Sequence, residues 1–402
     1  MALVLRDIYN DTKNRFQLDL IAGESGLNQV MTWVYVSEDY TTSDFLRSGE
    51  LIITTGVIAH QRNNWLLHFL KHMVRQHVCG LIINEGEYIQ REDISQEILD
   101  YCNEHEFPLF LMPWNIHIYD ITKDYYNRIF MDTNRNEAIN NAFLCFINRS
   151  KDIDSSLSLL SDYGFKENSC YYMAIFSFVN SSEIALNAMN PVANQISSEN
   201  NRLYSLIYTV LMNQTCPWHL IARNQSFFLI IHTTDFSVVN HLVTQIQKKI
   251  QDYHKSLTCF IGISGQADSL YQLSDASQQA LAALQMGRHK GLLLYRYEDM
   301  GFFKLLLAVS DTSVLDQYVH SHLHVILEYD QMHNSDFSNT LYLYLLHFGS
   351  VKEVAEKSFC HRNTINNRIR IIKEALGYDL DNPTVCFELM TAFLVKEYRN
   401  IH

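Results

Sequence analysis

Between His361 and Lys373 the chain gathers Arg362, Asn363, Thr364, Asn366, Asn367, Arg368, Arg370 and Lys373. Arg can pair bidentately with guanine and Asn with adenine, while Thr and Lys can hold phosphates, so these residue types suit the reading of a duplex major groove. Ile365, Ile369, Ile372 and Leu376 recur at helical intervals and form one apolar stripe, which leaves Arg362, Asn363, Asn366 and Arg370 on the opposite face. Arg368 falls near the border of the stripe, where it would reach a phosphate or pair with a nearby acid. Just upstream, Ser350 followed by Glu353 has the form of a capping box, and Val351, Val354 and Ala355 form a second stripe, small enough at Ala355 for close approach of another helix. His361 is placed to cap the second helix. From Lys352 to Lys373, six basic residues stand against Glu353 and Glu356, a local charge of +4 in a chain of formal charge −13. Such an acidic chain disfavours nucleic-acid binding by its whole surface and leaves this local basic element to supply it. The same period and charge also describe an ordinary solvated helical hairpin.

A second group of candidates lies near the N-terminus. Thr54-Thr55-Gly56 closes an apolar run, and open α/β sheets bind ligands at the carboxyl ends of their strands, so Glu50, Thr55 and Glu85 are candidates for a ligand pocket. Taken singly, each fits a turn, a strand end or a surface acid equally well. Trp33 and Trp114 are expected in the core. His320, His322 and His324 are spaced by two within a helical pattern, which points their rings in different directions and disfavours a metal site. The eight cysteines form no C-x-x-C pair, so neither a zinc knuckle nor a disulfide framework is signalled. G-x-S-x-G, G-x-G-x-x-G and the P-loop are absent.

The elements that must hold these groups fall into three parts. A chain of 402 residues exceeds one hydrophobic core, and 47% hydrophobic residues with only 5 Pro predict order nearly throughout. No apolar run approaches a membrane span and the N-terminus lacks a signal-peptide pattern, so a cytosolic protein is expected. Strands at 33–36, 50–54, 80–83 and 108–111 alternate with helices at 65–76 and 94–105, which predicts a parallel α/β domain over 1–130. Apolar positions from Ile118 to Ser150 predict one or two connecting helices able to carry a dimer contact. Strand 171–178, helix 200–212, a hairpin of 218–222 and 226–231 around Arg223-Asn224-Gln225, helix 238–253, strand 258–263 and helix 270–286 predict an α+β unit over 151–300. Beyond Gly301 the pattern is all-α.

Tyr329-Asp330, Thr340-Leu341, Tyr344-Leu345, Gly349-Ser350, Ala355 and above all His361-Arg362-Asn363-Thr364 resemble the C-terminal helix-turn-helix of the PucR-type transcription factors. Gly23 to Leu27, Leu46 to Leu51, Thr54-Thr55-Gly56, Gly80 to Ile83 and Pro108-Leu109 are similar to the N-terminal domain of the same family. The middle order of elements, ending in Phe260 to Ser264 and Leu281 to Leu284, resembles the GGDEF-like domain placed centrally in many of these regulators. The family usually has leucine at Ser358, valine at Cys360 and tyrosine at Asn367. The resemblance implies a multidomain protein: α/β, a connecting helix at 131–150, a degenerate GGDEF-like α+β domain, and an all-α 301–402 with the helix-turn-helix at about 350–373. It implies a homodimer or higher homo-oligomer that binds double-stranded DNA under control of a small-molecule effector, with the half-sites of a dimer roughly 34 Å apart. The hairpin at Asn224 and Gln225 has neither the glycines nor the paired carboxylates of a nucleotide cyclase, so no catalytic residue, metal or cofactor is expected. Two other classes stay open: a ligand-binding or dimerisation module without DNA binding, and a metal-dependent enzyme with ligands converging from different domains.

Overall fold

The computed structural model describes residues 3–39, 46–59, 64–150, 153–180, 193–223, 226–253, 255, 257–374 and 376–401. They divide into two units, Met1–Leu284 and Gln285–His402.

The first unit opens with α1 (Leu5–Thr12), β1 (Asp19–Ala22), β2 (Trp33–Val36), β3 (Glu50–Thr54), α2 (Trp65–Arg75), β4 (Gly80–Glu85), α3 (Gln96–Glu104) and β5 (Leu109–Pro113). The sheet order is β1-β5-β4-β3-β2, parallel from β2 to β5, with β1 antiparallel on β5. Every residue of β3 is buried, as expected for a parallel strand covered on both faces. On one face Ile52, Leu81, Ile83 and Leu109 pack against Trp65, Phe69 and Met73 of α2 and Cys102 of α3. On the other, Leu51, Ile53, Ile82 and Phe110 pack against α1 and against Ile121, Tyr125 and Ile129 of the next helix, α4 (Ile118–Ile147).

α4 is one uninterrupted helix of 30 residues. Its second half supplies Ile139, Phe143 and Phe146 to the core of the following α+β region. That region comprises α5 (Ile153–Asp162), β6 (Tyr171–Asn180), α6 (Ala193–Leu211), β7 (Trp218–Arg223), β8 (Ser226–His232), α7 (Phe236–Tyr253), β9 (Leu257–Ile263) and α8 (Leu273–His289). β6 lies between β8 and β9, antiparallel to both, and β7 follows β8 as a hairpin closing at Arg223 and Ser226. The hairpin tip, Asn224 and Gln225, lies outside the described residues. Gly262 lets α8 lie close on β9, since a Cβ there would come 2.1 Å from the Ala280 carbonyl oxygen. His219 of β7 is buried against Phe143 and hydrogen-bonds Asn140 at 2.7 Å. Burial pushes its imidazole down to about 3, so it stays neutral.

The second unit contains β10 (Leu294–Arg296), α9 (Phe303–Leu307), α10 (Thr312–His333), α11 (Phe337–Leu346), α12 (Val351–Lys357), α13 (Arg362–Glu374) and α14 (Pro383–Ile401). Leu323, Ile326, Leu341, Val354, Ile365, Ile369, Ile372, Leu389 and Ala392 form its core. The layout of α/β, α+β and helical regions is that expected from the sequence.

The stretch from Ile118 forms one helix, the first of the two expected alternatives. The short edge strand β1 and the helix α1 are additions to the expected elements. One expectation needs correction. Trp33 and Trp114 are not core residues: they are 46% and 48% exposed. Trp33 sits on β2, the edge of the sheet among the described residues, with no described strand beyond it. Trp114, just past β5, packs edge-on to Tyr88 over Gly86.

Candidate functional site

The basic motif forms a helix-turn-helix, with α12 leading into α13. Three polar devices set its geometry. At the end of α10 the Asp330 carboxylate accepts the Phe337 amide at 2.7 Å, the Ser338 amide at 2.8 Å and the Ser335 hydroxyl at 2.7 Å, so it caps α11 across the interhelical turn. Burial alone would raise its carboxyl, but the bonds from Ser338, Phe337 and Ser335 to the charged form hold it below the ordinary aspartate value. Ser350 caps α12 by accepting the Glu353 amide at 3.4 Å. The reciprocal half of the capping box is replaced: the Glu353 carboxylate pairs with His347 at 2.6 Å. At the start of α13, His361 Nδ1 accepts the Asn363 amide at 3.2 Å, which supplies a cap to the helix.

α13 buries Ile365, Ile369 and Ile372 and exposes Arg362, Asn363, Thr364, Asn366, Asn367 and Arg370. Arg370 donates to Asn367 Oδ1 at 2.9 Å, so these two side chains support each other on the outer face. Lys373 is held by the Asp381 carboxylate at 2.7 and 2.8 Å. Arg368 points elsewhere. It donates to the buried Thr340 hydroxyl at 2.9 Å and lies over the Phe337 ring at 5.7 Å, which fastens α13 to α11. The structure thus brings Arg362, Asn363, Asn366 and Arg370 to one solvent face and directs Arg368 into the packing between helices.

A groove of about 710 Å³ runs between α12 and the start of α13, lined by Lys352, Phe359, His361, Arg362 and Asn366 among others. Phe359 at its rim is 97% exposed, with a left-handed φ of 52°. Nothing in the sequence marked it, because an aromatic residue in a turn is ordinarily assigned to packing. Ser358, where the related pattern has leucine, has a buried hydroxyl with no partner among the described residues. Such a group costs about 1–3 kcal/mol, so this turn is held less firmly than the leucine version would be.

The N-terminal candidates separate. Thr55 follows β3, and Glu85 ends the neighbouring β4, so both lie at the carboxyl edge of the sheet. Glu50 begins β3, roughly 17 Å away along the strand. Its carboxylate accepts the Arg47 amide at 3.0 Å, and burial pushes its pKa up, partly offset by Arg47. Glu85 accepts the Arg91 amide at 3.1 Å. The residue that engages Thr55 is Glu38, separated from it by 17 positions in sequence. Its carboxylate accepts both threonine hydroxyls and the amides of Thr55 and Gly56. Beside this strand end, a cleft of about 270 Å³ is lined by Ala59, Tyr88, Ile89 and the first residues of α2 and α3.

Among the described residues no three His, Cys, Asp or Glu side chains are grouped to hold a metal. The His320 and His324 rings pack at a tilt, centroids 4.9 Å apart, with His324 Nδ1 against the His320 carbonyl. No described helix is long and apolar enough to cross a membrane.

Residues 8–129 match the purine catabolism regulatory protein-like family, residues 149–286 a GGDEF-like domain, and residues 337–395 the PucR C-terminal helix-turn-helix domain. Over 142 residues the chain is 28% identical to the proline-responsive transcriptional activator PutR of Bacillus subtilis (strain 168), covering 34% of each chain. Over 292 residues it is 25% identical to the purine catabolism regulatory protein of the same organism, covering 70% of this chain and 52% of the relative. The chain therefore spans about a third to a half of the length of these curated relatives. A crystal structure of a regulator of polyketide synthase expression from Bifidobacterium adolescentis aligns over 66% of this chain and 99% of its own, at 16% identity and a TM-score of 0.31.

Proposed function

The chain belongs to the PucR-type regulators, and from that premise we propose that it regulates transcription by binding double-stranded DNA with α13 as the recognition helix. The observation that carries this reading is the division of α13. Its isoleucines and Arg368 are committed to the fold, while Arg362, Asn363, Asn366 and Arg370 are presented to solvent. In this reading Asn363, Asn366 and Arg370 reach base edges, with Thr364 and Asn367 beside them. Lys352 at the start of α12, Arg362 and Lys373 meet phosphates, for which Lys373 must leave Asp381. Selection from a random duplex pool by the purified protein tests it: a recurrent site should be enriched, and its affinity should fall steeply with added salt. A pool that stays random, with no salt-dependent binding, rejects the assignment in favour of a module that does not bind DNA.

The unit that reads DNA is expected to be a homodimer joined through α4 and the edge strand β2. Tyr126 of α4 packs on Trp33 at 4.8 Å and donates to the Val34 carbonyl, so strand and helix form one surface. Tyr35 extends it along the strand, and Tyr119 and Phe130 extend it along the helix, all exposed. At about 200 Å² for a large side chain, these five residues expose on the order of 500 Å², the low end of what a specific interface covers per partner. A second copy of the chain fits because a two-fold axis lets one patch cover its own equivalent. Phe130→Glu combined with Tyr119→Glu should convert the dimer to a monomer in light scattering at micromolar concentration, with the circular dichroism spectrum unchanged. A variant that stays dimeric places the interface elsewhere.

Control of DNA binding is assigned to a small molecule taken up at the carboxyl edge of the first sheet, near Thr55 and Glu85. The relatives' names point to proline in one case and purine catabolism in the other, so the effector is expected to differ from chain to chain. The GGDEF-like region serves in this reading as a structural relay, without nucleotide chemistry.

A further inference from the structure

Glu38 lies two residues beyond β2, and among the described residues its carboxylate is met by the end of β3. The hydroxyls of Thr54 and Thr55 donate to it, each at 2.9 Å. The Thr55 amide donates at 2.9 and 3.2 Å to its two oxygens, and the Gly56 amide donates at 3.0 Å. Four neutral donors on three consecutive residues thus converge on one carboxylate, an arrangement that satisfies the charged form with no cation among the described residues. The turn that aims the Gly56 amide has φ of 73°, and a Cβ there would come 2.2 Å from Ile89 Cδ1, so the donor set depends on glycine.

The donors and their occupant differ in how they are held. Thr54 and Gly56 are buried parts of a strand end, whereas Glu38 is half-exposed and arrives from beyond the edge strand. The donors also stand where open α/β sheets receive ligands. A single turn, closed by the Ala59 amide on the Gly56 carbonyl at 2.8 Å, carries the chain from this nest to the wall of the 270 Å³ cleft. Ile89 touches position 56 and lines the same cleft, so nest and cleft share a wall.

We propose that the Thr54-Thr55-Gly56 strand end is a carboxylate receptor filled by Glu38 in the effector-free protein, and that the effector is a small acid whose carboxylate replaces Glu38 while its body occupies the adjoining cleft. The identity of the effector class rests on the reading that a small molecule controls this protein; the receptor itself does not. Glu38 is a tethered competitor at millimolar effective concentration or above, so a simple acid without cleft contacts would not displace it. Displacement releases Glu38 from the end of β3, two residues past β2, the strand carrying Trp33 and Tyr35 on the dimer face proposed above.

The test uses the full chain with acetate as the probe. Glu38→Ala should gain thermal stability in sodium acetate over sodium chloride at equal ionic strength, wild type should show no difference between the two salts, and Thr55→Val added to Glu38→Ala should abolish the gain. Glu38→Gln serves as the second variant if Glu38→Ala does not fold. Equal melting in the two salts for both variants overturns the receptor. In a second arm, small mono- and dicarboxylic acids, amino acids and their primary amides are titrated calorimetrically. An acid that binds wild type should bind Glu38→Ala about tenfold tighter or more, and its amide should not bind. A small molecule that binds both proteins equally overturns the proposal and leaves effector control intact. Acetate rescue with no acid binding wild type leaves the receptor standing and rejects a small acid as the effector.

Discussion

Asn366→Ala and Arg370→Ala are each expected to weaken binding to the selected DNA site by about 1–3 kcal/mol, and to flatten base preference at one position each. The expectation follows from their placement. Both side chains are exposed on the face of α13 away from Ile365 and Ile369, and neither holds the core together. Arg370 is steadied by Asn367 in the free protein, so part of its geometry is set before DNA arrives. Lys352→Ala should behave differently: as a phosphate contact it should weaken binding to every sequence and reduce the salt slope by roughly one unit. Arg368→Ala should act through the fold, since its guanidinium is engaged by Thr340 and Phe337. Anisotropy titrations on the selected site and on a scrambled duplex separate these behaviours. If Asn366→Ala and Arg370→Ala leave affinity and preference untouched in folded protein, α13 is not reading DNA.

Asp330→Ala is expected to destabilise the helix-turn-helix by about 1–3 kcal/mol, because it removes the acceptor for two backbone amides and a hydroxyl at the start of α11. The folded protein holds this carboxyl below its ordinary value, so its contribution is complete above the unfolded-state pKa and is lost as pH falls through the folded one. The loss therefore falls below about pH 4, and neutral solution shows the full effect. Asp330→Asn keeps an acceptor oxygen without the charge and should lie between wild type and Asp330→Ala, without the acid-side dependence. Hydrogen exchange over peptides covering Phe337–Leu346 reports it directly: faster exchange is expected in Asp330→Ala at neutral pH. Unchanged protection would show that the caps on α12 and α13 suffice.

What could be read from sequence followed the range of the interactions involved. The buried stripe of α13 and the fully buried β3 are local periodicities, and both lie where the spacing put them. The cap on α13 was legible for the same reason, since His361 and Asn363 are two residues apart. Arg368 was legible only as a border residue; that its partners are Thr340 and Phe337 depends on how α11 crosses α13. The strand-end argument that groups Glu50 with Thr55 and Glu85 fails for Glu50, because it begins β3 and an extended strand carries its two ends far apart. Glu38 was invisible because nothing local links it to Thr55; the parallel pairing of β2 with β3 brings them together. Trp33 was misjudged because burial of a large ring depends on whether a further strand lies beside it, and β2 is an edge.

The continuity of α4 has a mechanical consequence. At 1.5 Å per residue it is a shaft about 45 Å long, with Ile121, Tyr125 and Ile129 keyed into the first sheet's core and Ile139, Phe143 and Phe146 keyed into the second's. The helix has no glycine or proline at which it could bend, so a twist imposed at one end arrives at the other as the same twist. The relation between the two cores is then one of phase. Each residue added between Ile129 and Ile139 would turn one core about 100° against the other, whereas seven would return it to within about 20° of its starting angle. The spacing of the two keyed segments, more than the identity of the residues between them, is what this chain has to preserve.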